Sequence, residues 1–265
     1  MCVFNYPAEV TSTNLFVAPQ GDRQITVYAN HVKNSNEGNA MVLPVPHPET
    51  IKLLDLSGYK TFFTDANEPF IRNHDKLGMK KFSIMSNGTR SATLPVYDIG
   101  GYKCSIAMNI ADLRNVNDTV FKLSPGLDEV LSQFYSAEHW GFIICKLKAK
   151  SAVTTFFGDI FIGSSENIDK YHPFGYTHKM LDGQMMLPTR HFHGKYSEIA
   201  HDWDHDIFIY NGELIDSAHW NATNRCTIDF KKCSFEPDAF CTYRKHKIVG
   251  RAKNNDMWCN VKTCK

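Results

Sequence analysis

Between Leu187 and Glu213 the chain concentrates His191, His193, Asp202, Asp204, His205, Asp206 and Glu213, the residue types that ligate metals. Six of the twelve histidines lie between His172 and His205. If 187–193 is a strand, His191 and His193 project to one face, because side chains alternate with period two. Two imidazoles so placed can share zinc or iron, with Asp202, Asp204 or His205 from a neighbouring strand completing the site and His172 and His178 as further donors. Such a metal would activate water or polarise an oxygen. A second reading of the same residues is a polar network at a sheet end, with the histidines, Arg190 and the aspartates satisfying one another. A calcium loop starting at Asp202 fails at its sixth position. That position requires glycine, and Ile207 stands there, a β-branched residue for which positive φ is costly.

Chemistry of another kind is open to Cys2. Removal of Met1 would expose it as an N-terminal residue whose own α-amino group serves as base. This arrangement resembles the N-terminal nucleophile hydrolases. The Asn-Gly pair of Tyr210–Glu213, "YNGE", is similar to an element of their amidotransferase branch, whose Arg-Gly-containing element has no counterpart here. The resemblance implies a catalytic role for Cys2.

The C-terminal segment has its own character. Residues 225–265 hold ten Lys or Arg against four Asp or Glu, a local +6; the remaining 19 basic and 24 acidic residues leave −5 for 1–224. Lys231, Lys232, Arg244, Lys245, Lys247 and Arg251, interleaved with Phe235, Tyr243 and Trp258, have the cations and aromatics that track a phosphate backbone and stack on bases. The same charges would serve binding to the acidic remainder of the fold or to a second copy. Five of the eight cysteines fall here, without the CxxC pairs of zinc ribbons. Disulfides belong to oxidising compartments, and "MCVFNYPAEVTSTNLF" lacks a basic region followed by a long apolar one. A soluble, intracellular protein, or one carried in a virion, is therefore expected, without membrane insertion.

These residues must be positioned by elements that read mainly as strands. "TNLFVAP", "QGDR" and "QITVYANHV" predict a hairpin. "NAMVLPVPHP" predicts a strand that reaches an edge or leaves the sheet at its prolines, which cannot donate ladder bonds. "WGFIICKLKA" and "TTFFGDIFIG" predict two more strands, and "DIFIYNG" another. "TIKLLDLSGYKTFF" reads equally as short helix or turn. One helix is expected over 125–138, capped by Ser124, with Leu127, Val130, Leu131 and Phe134 on its buried face.

The pattern specifies an α+β, β-rich protein of mostly antiparallel sheets, a sandwich or open barrel, with one clear helix and an irregular Cys-rich C-terminal segment. Its expected division is a β-rich unit over 1–220 and a basic segment over 221–265 packed on it. "NAMVLPVPHP", "IKLLDLSGYKTFF", "LPTRHFHG" and "DWDHDIFIYNGE" are similar to stretches of uncharacterised proteins of large DNA viruses and microbes, a resemblance that implies no reaction. A non-enzymatic structural or binding role, with self-association or nucleic acid as partner, is the leading expectation, and the metal-dependent enzyme is the alternative.

Overall fold

The computed structural model describes residues 2–4, 9–33, 40–71, 93–147, 173–192, 200–215 and 222–263. Their strands form three sheets. A six-stranded sheet runs β11 (His191–Phe192), β1 (Cys2–Phe4), β4 (Met41–Pro46), β8 (Trp140–Leu147), β7 (Tyr102–Ala107), β6 (Tyr97–Ile99). A seven-stranded sheet runs β14 (Ala222–Asn224), β15 (Tyr243–Lys253), β12 (Ala200–Tyr210), β2 (Glu9–Gln20), β3 (Arg23–Lys33), β9 (Phe174–Lys179), β5 (Lys52–Leu54). A three-stranded sheet holds β10 (Gln184–Leu187), β16 (Met257–Val261) and β13 (Gly212–Leu214). Among the described residues, pairing is antiparallel except between β1 and β11 and between β2 and β12. The fold is α+β and β-rich, as the sequence pattern specifies.

The central strands are apolar on both sides because both faces are covered. Leu43, Ile143, Leu15, Val17, Trp203, Ile207 and Ile209 meet in a core between the two large sheets. Their chain neighbours turn outward: Val42, Phe142 and Ile144 pack under α2 (Leu127–Ser132), while Phe16, Phe208 and Tyr210 pack under α1 (Phe62–Asn67) and Ile228 and Phe235. Residues 222–263 are woven into this plan. The β15 strand pairs with β12 over its whole length, and β16 sits between β10 and β13.

The predicted hairpin forms as β2 and β3, joined by the two-residue turn Gly21–Asp22 with Gly21 at φ 62°. Among the described residues the proline-bearing strand is interior only at its start: β1 pairs with Met41 and Val42, and from Leu43 onward β4 has β8 alone. Pro44 and Pro46 thus stand where no second ladder needs their missing N–H. The ambiguous stretch divides into β5 and α1. Within 125–138 the helix is shorter than expected, and its start is not capped by Ser124. Gly126 occupies the cap position at φ 83°, with no side-chain cap bond. Leu127, Val130 and Leu131 are buried as expected, whereas Phe134 lies beyond the helix end and is 38% exposed. The predicted strand "TTFFGDIFIG" lies outside the described residues.

Two features of this packing have measurable consequences. A Cβ on Gly141 would come within 2.3 Å of Pro48 Cβ and 2.6 Å of the Ala107 carbonyl oxygen. Gly141→Ala should therefore destabilise the protein by roughly 2 kcal/mol or more in denaturant titration, since overpacking against backbone has no cheap relief. On β9, His178 is buried with Nδ1 2.8 Å from the Lys179 carbonyl, and burial holds its imidazole down at about 4. Between that value and the ordinary one near 6.5 the unfolded chain binds the extra proton, so stability falls as pH drops through this window, by about 3 kcal/mol in full. In urea titrations across pH, His178→Asn should lack that component.

Candidate functional site

The histidine cluster resolves into two faces. On β12, odd-numbered residues point into the core and even-numbered ones away from it, so His205 is buried beside Trp203 while Asp202 and Asp204 are exposed on the opposite side. His191, on β11, meets His205 from across the core, Nε2 to Nε2 at 2.5 Å, with both rings against Trp203. The expected His191, His205, Asp202, Asp204 donor set is therefore split by the sheet. His193 and His172 lie outside the described residues. Among the described residues no group of three or more His, Cys, Asp and Glu converges in a way that could hold a metal. The contact between the two imidazoles adjoins a polar network.

That network begins in the turn between β15 and β16. Asn254 pairs with the His191 backbone as a strand would, accepting from its N–H at 2.7 Å and donating to its carbonyl at 2.6 Å. Asp256 Oδ1 accepts from the Thr189 and Arg190 N–H groups, each at 3.1 Å, and Arg190 Nε lies 3.7 Å from Asp256 Oδ2. Tyr135 donates its hydroxyl to the same carboxylate. Burial, and then the charge of Asp256, pushes that hydroxyl well above the ordinary tyrosine range, so it keeps its proton and remains a donor. The Arg190 guanidinium lies 3.9 Å over the ring of Phe134, which is why that aromatic stays at the surface.

The clamp fixes β11, and β11 in turn pairs in parallel with β1, placing Cys2 opposite His191 and Val3 opposite Phe192. Strand β1 is thus an interior strand of the six-stranded sheet, beside the strand that carries buried His191. The Asn-Gly element serves a separate purpose. Asn211, at φ 51°, accepts from the Cys241 and Thr242 N–H groups through Oδ1 and donates through Nδ2 to the Ala239 carbonyl. With a further bond from Nδ2 to the Asp238 carbonyl, its amide holds the 238–242 segment.

The basic residues are largely neutralised within the fold. Arg244 pairs with Glu213 at 2.8 Å, Lys245 with Asp206 at 2.9 Å, Lys232 with Asp229 at 3.4 Å and Arg251 with Asp202 at 3.7 Å. Lys262 and then Arg244 hold the Glu213 carboxyl down at about 2. Lys247 faces Asp206 across the β12–β15 ladder, and Lys231 is exposed. Three of these four pairs join the segment to the acidic remainder of the same chain, and the Lys232–Asp229 pair lies within it. Cys226, Cys233 and Cys259 are free thiols whose titration burial pushes up, which keeps them protonated, and Cys241 is disulfide-bonded.

Sequence reasoning passed over Asn254 and Asp256. "NND" between two apolar stretches is a turn signal. Nothing in it indicates that the side chains reach 63 to 67 residues back along the chain.

No protein-family model and no curated protein matches this sequence. Among solved structures the chain is similar to baculovirus P35, with a TM-score of 0.51 at 9% identity, covering 99% of this chain and 100% of that one. A second similar structure is the caspase-8/P35 complex, with a TM-score of 0.48 at 7% identity, covering 96% of this chain and 97% of that one. The first of these establishes a shared fold.

The clamp predicts a local weakness when cut. Asn254→Ala should cost about 1–3 kcal/mol, because it strips two buried backbone groups of their partners. In hydrogen exchange, amides of His191 and Phe192 should then lose protection while those of β2 and β3 keep theirs. Equal loss across all sheets would contradict the assignment.

Proposed function

We propose that this protein acts by binding another protein and not by turning over a small substrate, and that its partner is a cysteine protease of the caspase class. The observation that carries this reading is the likeness to baculovirus P35 over essentially the whole of both chains. P35 itself is recorded in complex with caspase-8, and the partner class is taken from that protein. Such a role suits a chain whose buried polar groups hold strands together and whose cations are paired internally. A viral origin is consistent with the source of the neighbour.

Within this reading Cys2 is the reactive group best placed to matter. Its strand is gripped on both sides, by β4 and by β11, so its backbone position is preset by the fold. A preset position lowers the ordering cost of any contact that residue makes.

The test is titration of caspase-8 with the purified full chain, following cleavage of a fluorogenic peptide and complex formation by gel filtration. Loss of protease activity proportional to added protein is expected. Undiminished activity at a tenfold molar excess, with no co-eluting complex, would overturn the proposal. Cys2→Ala in the same assay separates the contributions: retained inhibition assigns it to surface docking, and lost inhibition with an intact fold assigns it to the thiol.

A further inference from the structure

Two thiols of the fold face each other. In the six-stranded sheet β7 and β8 run antiparallel, and their register sets Cys104 directly opposite Cys145. Both side chains enter the core between the two large sheets, together with Tyr102 and Ile143 two residues along each strand, so they lie on one face. Neither cysteine is in a disulfide, and they are 0% and 2% exposed. The other reduced cysteines lack this arrangement. Cys259 stands between Met185 and Leu214 with no thiol opposite, and Cys226 and Cys233 lie outside the strands.

Opposed residues of an antiparallel pair have Cα atoms about 4.5–5.5 Å apart, inside the roughly 4.4–6.8 Å that a disulfide spans. Their Cβ atoms, also about 4.5–5.5 Å apart, begin where the disulfide range of about 3.5–4.5 Å ends. The bond can therefore close within the ladder, but only by drawing β7 and β8 together by up to about 1 Å. A bridge closed under such tension is readily reduced, which is the property of regulatory disulfides and not of structural ones. Access to the pair has an equally local cause. Among the described strands β6 is the sheet edge beside Cys104; it is three residues long, and Tyr97, opposite Cys104, is 42% exposed. So short an edge strand can open without disturbing the rest of the sheet, and a small oxidant then reaches the thiols.

We infer that Cys104 and Cys145 form a reversible dithiol–disulfide switch whose oxidant is a hydroperoxide. One thiol loses its proton and its sulfur attacks a peroxide oxygen; the O–O bond breaks, an alcohol or water leaves, and a sulfenic acid remains. The second sulfur then attacks the first, the S–O bond breaks, and the departing hydroxide leaves as water with the proton of the second thiol. Two thiols and one hydroperoxide thus yield one disulfide, one alcohol and one water, with the sulfurs oxidised and the peroxide reduced. The bridge fastens β7 to β8 and closes the stretch 105–144, which contains α2, into a loop. Such closure restricts the unfolded chain and so resists unfolding of this half of the sheet. The inference does not rest on the protease reading, and the two fail separately.

The test is thiol mapping of the purified full chain, treated with hydrogen peroxide under native conditions, alkylated with iodoacetamide and digested without reductant for mass spectrometry. A peptide pair joined through Cys104 and Cys145 is expected. Dithiothreitol should abolish it and return both residues to the alkylated pool, while Cys259 stays alkylatable throughout. Tyr97→Ala, which removes the side chain opposite Cys104, should speed cross-linking at least about threefold. Cys145→Ser should give no linked peptide and leave Cys104 as a sulfenic acid that dimedone traps; the mapping of the unsubstituted chain decides even if that variant does not fold. A cross-link that forms only in urea, linkage of Cys104 to another cysteine, an unchanged rate in Tyr97→Ala, or Cys104 and Cys145 still alkylatable once Cys226 and Cys233 are consumed would each overturn the inference.

Discussion

The pairing of Asn254 and Asp256 with residues 189–191 is the contact on which the arrangement of the three sheets depends. The turn that carries these two side chains leaves the seven-stranded sheet through β15 and enters the three-stranded sheet through β16. The residues it grips start the short strand β11 at the edge of the six-stranded sheet. A strand of two residues cannot hold its own register. Side chains that imitate a neighbouring strand supply what the ladder lacks, and Gln24 does the same between β3 and β10, accepting from the Met186 N–H and donating to its carbonyl.

From this follows the character of the histidine pair. His191 is brought to His205 because β11 is clamped, and Trp203 closes the space around them. The residues most suggestive of metal chemistry thus join two sheets, while the acidic residues beside them in sequence face solvent on the far side of β12. Parity along one strand makes that division. The placement of Cys2 follows from the same clamp, since β1 is held between β11 and β4.

Much of the fold was legible beforehand. The hairpin pattern in 13–32, the apolar runs at 41–46 and 140–147, and the periodic stretch after Pro125 each became the type of element that their pattern specifies. Departures have local causes: the helix ends before Phe134, and β4 is interior until its prolines begin. The candidate sites were less legible. The His191–His205 contact joins residues fourteen apart through a fold that neither residue encodes.

What the sequence determined by itself is which segments are strands and which of their faces are apolar, because hydrophobic periodicity is a local property read along a few residues. It also set the charge balance, with a basic C-terminal segment matched to an acidic remainder. Tertiary structure alone decided which strands became neighbours, which polar side chains met in the core, and that the basic residues would be paired off within the chain. Those outcomes turn on contacts between residues tens to nearly two hundred positions apart, such as Lys245 with Asn67 and Asp256 with Tyr135. Short-range pattern carries no record of such contacts, because their energy exists only once the intervening chain has folded.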